Sequence, residues 1–122
     1  MTYLTRLDLA VSAVFERVFR LRRRYQPVDI ARLLVRTVKR SERRTLQTTY
    51  VANSYRVEAS REDLGRLEPI RAEILADLEQ VVRDYVERQG LVMVGPLHLS
   101  LEISPALAPG QVRIQARFTD QE

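Results

Sequence analysis

"TYVANSYRVEASRED", Thr49 to Asp63, is the stretch on which the fold turns. Val51, Asn53, Tyr55 and Val57 fall on one side of an extended chain, and Ala52, Ser54, Arg56 and Glu58 on the other. A period of two residues is the mark of a strand. Asn53, a polar residue on the apolar side, predicts a bulge or turn at the strand's start, with its amide satisfying backbone groups at the bend. The pattern then changes at once. Ser60 stands where an N-cap belongs, and Glu62 and Asp63 supply acids to a first helical turn. A strand running straight into a helix start puts the chain among mixed folds.

Downstream, Leu64, Leu67, Ile70, Ile74, Leu78, Val81, Val82 and Tyr85 recur at helical spacing. Pro69 interrupts them, which predicts a short helix to Leu67 and a kink or restart at Pro69. Gly90 is the expected stop. Leu97, Leu99, Leu101 and Ile103 alternate after an irregularity at Gly95-Pro96, and Val112, Ile114, Ala116 and Phe118 alternate after the loop "SPALAPGQ". These last two strands are expected to form a hairpin. The strand at Val51–Val57 reaches the one after Gly90 through a helix, so parallel pairing by a right-handed crossover is expected if the two are neighbours.

Upstream, Leu4, Leu7, Val11, Val14 and Val18, widened by Phe15, predict an amphipathic helix from Tyr3 to Leu21, closed by Arg22, Arg23 and Arg24. A turn at Tyr25-Gln26 leads to Pro27, a favoured first helical residue, and a second helix to Arg40. Ser41 to Thr49 reads as a polar, basic loop. The expectation is therefore one α+β domain over residues 1–122, in the order ααβαββ. It comprises a helical hairpin over about 3–40, a strand-helix-hairpin unit over about 50–119, and a small three-stranded mixed sheet with helices packed on one face.

Composition narrows the function. Of 122 residues, 45% are hydrophobic and 30% charged, which is a globular rather than a disordered balance. The absence of cysteine removes disulfides, thiolate metal sites and a thiol nucleophile. No apolar run approaches the roughly 18 residues of a membrane span, and Thr5, Arg6 and Asp8 break any signal-peptide pattern, so the cytoplasm is the expected location. The net charge of +4 is unevenly placed: residues 1–46 carry twelve basic and four acidic groups, and the remainder eight and twelve. A split of +8 against −4 predicts a bipolar surface.

Chemistry is sparse. His98, the only histidine, has Ser100 and Glu102 as same-face neighbours, and a base–orienter pair with Glu102 is weighed against an exposed strand histidine, which is preferred. Glu62/Asp63 and Glu73/Asp77 read as helix caps or solvated faces, not metal ligands. Gly65, Gly90, Gly95 and Gly110 match neither a phosphate loop nor a dinucleotide fingerprint. No catalytic, cofactor or metal site is expected. The candidate surface is the basic one: Arg20, Arg22, Arg23, Arg24, Arg40, Arg43 and Arg44. A protein partner is preferred there. Nucleic acid is the alternative, with Tyr25 as the only aromatic in the basic region and no GxxG backbone clamp, and anionic membrane is the third reading. A strand edge or a helix face would each support a homodimer, and the pattern does not choose between them.

"AVFERVFR" (Ala13–Arg20), "QPVDIARLLVR" (Gln26–Arg36), "VANSYRVEASRED" (Val51–Asp63) and "GP" at Gly95-Pro96 together resemble the N-terminal domain of the bacterial FhaA family. The resemblance spans roughly Phe15 to Phe118 and departs at Val51-Ala52-Asn53, where the family reads Val-Pro-Asn. It implies a non-enzymatic regulatory or scaffolding module of proteins tied to Ser/Thr kinase signalling and cell-envelope control, with a kinase-like membrane protein as partner. Phosphothreonine recognition belongs to the separate forkhead-associated (FHA) module and carries to no residue here.

Overall fold

The computed structural model describes residues 14–119. The stretch at Thr49, read as one strand with a bend at Asn53, is two strands that belong to different sheets. Strand β3 (Thr49–Val51) ends at Ala52-Asn53, β4 (Ser54–Ala59) follows, and Ser60 Oγ accepts the N–H of Asp63 at 3.0 Å to cap helix α2 (Arg61–Leu67). A single 3₁₀ turn at Glu68–Ile70 absorbs Pro69, and α3 (Arg71–Arg88) restarts beyond it. Pro69 has no N–H to give a continuous helix, so the break falls there. Gly90, at φ +66°, ends the helical run. Helix α1 (Pro27–Arg40) opens on a capping box between Gln26 and Asp29 and closes at Ser41.

The first predicted helix is corrected. Tyr3 to Ala13 lie outside the described residues, and Val14–Arg20 forms strand β1. The heptapeptide VFERVFR serves either period. Phe15, Val18 and Phe19 sit at helical steps, yet β-branched and aromatic residues favour a pleated, half-buried site. The structure takes the period of two: Phe19 is 8% exposed and its neighbour Val18 48%.

The second correction concerns the last two strands, β6 (His98–Ile103) and β7 (Gln111–Arg117). They do not pair as a hairpin. The sheet runs β1-β7-β4-β6, four strands rather than three, with β4 parallel to β6 as expected and β7 antiparallel to both β1 and β4. The loop after Ile103 therefore steps over β4, a span of roughly 10 Å at the usual strand spacing. Within the predicted loop, β2 (Arg43–Arg44) pairs with β3, which in turn pairs with β5 (Val92–Met93) in a small second sheet.

The core follows from these registers. Tyr55, Val57 and Ala59 of β4, Leu101 of β6, and Val112, Ile114 and Ala116 of β7 line one sheet face. Ile30, Leu33, Leu34 and Val38 of α1 and Ile74, Leu78, Val82 and Val86 of α3 cover it. The other face is polar. There Arg113 Nε donates to Glu58 Oε1 at 2.6 Å and stands 3.4 Å from Glu16 Oε2, while Arg56 meets Glu102 at 3.7 Å. The hydrogen bond to Glu58 leads in pushing the Arg113 pKa above its usual value.

Asn53 is fully buried. Its Nδ2 donates to the carbonyls of Pro96 (2.9 Å) and Thr119 (2.7 Å), and its Oδ1 accepts from the Thr119 N–H (2.9 Å). Replacement by alanine strands buried backbone groups on two other segments. Asn53→Ala is expected to cost about 2–4 kcal/mol, read as a lower urea midpoint at unchanged slope.

Candidate interaction surface

The seven arginines singled out from sequence do not form one patch. Arg20 ends β1 on the polar face of the sheet, and Arg22, Arg23 and Arg24 occupy the turn into α1. Arg24 takes φ +58°, a left-handed conformation uncommon for a residue with a Cβ, and it reverses the chain there. Tyr25 then drops into the core with no exposed surface. The Arg66 guanidinium lies 5.3 Å from its ring centroid. Burial, followed by the charge of Asp63, pushes the Tyr25 phenol well above its ordinary pKa.

Beside this turn lies a cavity of about 340 Å³ lined by Arg23, Arg24, Arg66, Glu62, Asp63 and Pro109. Its carboxylates are committed. Asp63 Oδ2 accepts the Gly110 N–H at 2.8 Å and Oδ1 stands 3.8 Å from Arg66, while Glu62 sits 3.9 Å from Arg23. Three guanidinium groups facing two carboxylates leave the turn only modestly positive.

Arg40, Arg43 and Arg44 lie at the other end of α1. Fourteen helical residues separate the two groups, about 20 Å at the α-helical rise. Arg43 is half-buried and structural: its guanidinium lies 4.4 Å from the Phe15 centroid and 5.8 Å from that of Phe118, two rings packed edge to face at 6.4 Å. Arg40 borders a cavity of about 470 Å³ beside Phe15, Arg17, Phe19 and Ile114. Between the groups, α1 exposes Val28 and partly exposes Ala31 and Val35, with Arg32 and Arg36 alongside.

Ion pairing sorts the cations into two sets. Arg56, Arg66, Arg71 and Arg113 each meet a carboxylate of the domain. Among the described residues, Arg17, Arg20, Arg22, Arg24, Arg36, Lys39, Arg40, Arg43, Arg44, Arg61, Arg83, Arg88 and Arg117 meet none. The surface named from the charge split holds fewer than half of this unpaired set, and sequence reasoning missed the stacking of Arg43. Nothing local to Arg43 could have shown it, because the rings come from distant segments, Phe15 on β1 and Phe118 just past the end of β7.

His98 and Glu102 are four residues apart on β6, about 13 Å, so they do not touch as base and orienter. Glu102 faces Arg56 instead. Among the described residues no three histidine or acidic side chains converge on a metal position, and no helix is long and apolar enough to cross a membrane.

This architecture has relatives. The family model for the FhaA N-terminal domain matches residues 4–115. The chain belongs to the FhaA N-terminal domain family. A solved structure described as "Rv0020c_Nter structure" superposes with a TM-score of 0.72 at 20% identity, covering 79% of this chain and 74% of that one. At that identity the likeness is one of fold. No curated protein matches the chain. Family membership agrees with the motifs at Gln26-Pro27, Asn53-Tyr55 and Ser60-Asp63, all of which cap or fill the fold.

Arg43 and Arg44 are neighbours with opposite roles. Arg43→Gln is expected to lower stability by about 1–2 kcal/mol through lost contact with two rings, and Arg44→Gln to leave it within error. Paired thermal melts of the two variants check this.

Proposed function

We propose that this domain is a non-enzymatic interaction module of a bacterial FHA-type signalling protein, working in the cytoplasm and holding an acidic protein partner along α1 and its two ends. The carrying observation is the contrast between the two sets of arginines. Acidic groups of the domain meet Arg56 and Arg113 on the sheet and Arg66 on α2, and meet none of Arg20, Arg22, Arg24, Arg40 and Arg44 around the two ends of α1. Two basic groups about 20 Å apart, joined by a helix that exposes Val28 among arginines, suit a broad mixed surface better than a small anion.

The same geometry speaks against the alternatives. Single-stranded nucleic acid is held by aromatic platforms inside a basic groove, and the aromatics near these arginines are engaged in packing: Tyr25 is buried, and Phe15 and Phe118 hold Arg43. The membrane reading drew on an amphipathic helix running to Leu21, and the described part of that stretch, Val14–Arg20, is a strand that gives its Phe19 to the core. The family resemblance points to a partner from Ser/Thr kinase signalling.

Arg22, Arg23 and Arg24 replaced together by glutamine, and separately Arg40 and Arg44, should each weaken partner capture without lowering the melting temperature. Co-purification from cells with the two variants checks this. It is run beside titrations with RNA, duplex DNA and anionic vesicles at roughly 50 and 200 mM salt. Micromolar nucleic-acid binding that falls log-linearly with salt overturns the protein-partner reading, as does capture that survives both replacements.

A further inference from the structure

Strand β1 closes one end of the main sheet, and among the described residues nothing pairs with its far edge. The backbone groups on that edge can be identified. Leu21 N–H donates to Gly110 C=O at 2.6 Å, and Leu21 and Gly110 continue the β1–β7 register. In an antiparallel pair, hydrogen-bonded and non-hydrogen-bonded positions alternate. The odd residues Phe15, Arg17 and Phe19 therefore bond to β7, and Glu16, Val18 and Arg20 turn their N–H and C=O groups outward. Such an edge is a template for another strand.

The side chains on those outward residues are self-complementary. We propose that β1 pairs with β1 of a second copy of this domain, antiparallel about a two-fold axis at Val18. In that register Val18 faces Val18, and Glu16 faces Arg20 twice. The outward amides then meet outward carbonyls, giving roughly six backbone hydrogen bonds. Glu16 Oε2 is engaged by Arg113 at 3.4 Å and by Gln115 at 3.0 Å, which leaves Oε1 for the incoming guanidinium. Arg20 meets no carboxylate among the described residues. Val18, 48% exposed, loses that exposure at the axis.

On the opposite face Arg17, whose guanidinium lies 5.4 Å from its own Phe19 centroid, comes beside Phe19 of the second copy, and Phe15 comes beside Leu21. Registers shifted toward the N-terminus are worse. Centring on Arg17 sets two arginines face to face, and centring on Glu16 sets two glutamates so; like charges directly opposite repel. The product is one continuous sheet with four strands from each copy.

The chain has no cysteine, so single cysteines report the register cleanly. Facing residues of a hydrogen-bonded pair stand about 5.5 Å apart at Cα, within the reach of a disulfide. Under mild oxidation Val18→Cys should give a covalent dimer at least about tenfold faster than Leu46→Cys on an exposed turn, as expected when the effective concentration is set by a specific pairing. Glu16→Cys and Arg20→Cys should each stay monomeric alone and cross-link when mixed. Sedimentation of the unmodified chain should pass from 14.2 kDa toward twice that with concentration, and Arg20→Glu should prevent it.

Val18→Cys cross-linking no faster than Leu46→Cys overturns the proposal. So does a mass that stays at 14.2 kDa throughout, whether the edge is bare or taken by an added extended peptide. A dimer that forms but leaves the Glu16→Cys and Arg20→Cys mixture uncoupled overturns it too.

Discussion

The buried amide of Asn53 is the point on which the rest of the sheet depends. Its side chain binds the carbonyls of Pro96 and Thr119 and the N–H of Thr119, and its own carbonyl accepts the His98 N–H at 2.7 Å. The start of β4, the start of β6 and the end of β7 are thereby fixed to one residue. Those three strands are adjacent in the sheet. A slip of one residue in any of them would turn its apolar row to solvent. A short amide side chain, with two donors and an acceptor, meets the Pro96 and Thr119 groups where an apolar residue would leave them unpaired in a dry site.

What was legible in the sequence is what is decided locally. Ser60 before two acids, Pro69 inside an apolar run and Gly90 after it each act on backbone groups within a turn, so their effect could be read in place. The choice made by Val14–Arg20 is different in kind. Its residues suit a helix or a strand about equally, and pairing with β7, nearly a hundred positions later, decides between them. The misplaced hairpin has the same origin. Two alternating strands with a loop between them look alike whether they pair directly or admit a third strand, and β4 carries no signal in its own residues that it sits between β6 and β7.

The charge split was legible as a number but not as a map. Within the sheet the basic first third and the acidic remainder interleave. Arg113, from the acidic part, pairs with Glu16 from the basic part as well as with Glu58, because the register of β1, β7 and β4 brings them into one cross-strand row. Exposed pairs of this kind contribute little singly, but Glu58 is buried and Arg113 also reaches Ser104 Oγ at 3.1 Å, so this row positions strands as well as balancing charge. Unpaired arginines remain on the strands as well as off them, Arg20 at the end of β1 and Arg117 at the end of β7.

The unpaired arginines around the two ends of α1 serve two surfaces that meet at Arg20. At the end of β1 it can face Glu16 of a second copy, or it can extend the basic turn of Arg22 and Arg24 toward an acidic partner. One guanidinium cannot make both contacts fully. The cavity bordered by Arg40 also adjoins β1, so a second copy along that edge would crowd it. Pairing of two copies would thus narrow the partner surface to the Arg22–Arg24 turn, the exposed side of α1, and Arg44. Only the unpaired domain offers all of its free cations at once. Self-association and partner binding through this face are therefore competing states of one surface, and a partner that needs Arg20 or Arg40 would favour the single copy in proportion to its preference for it.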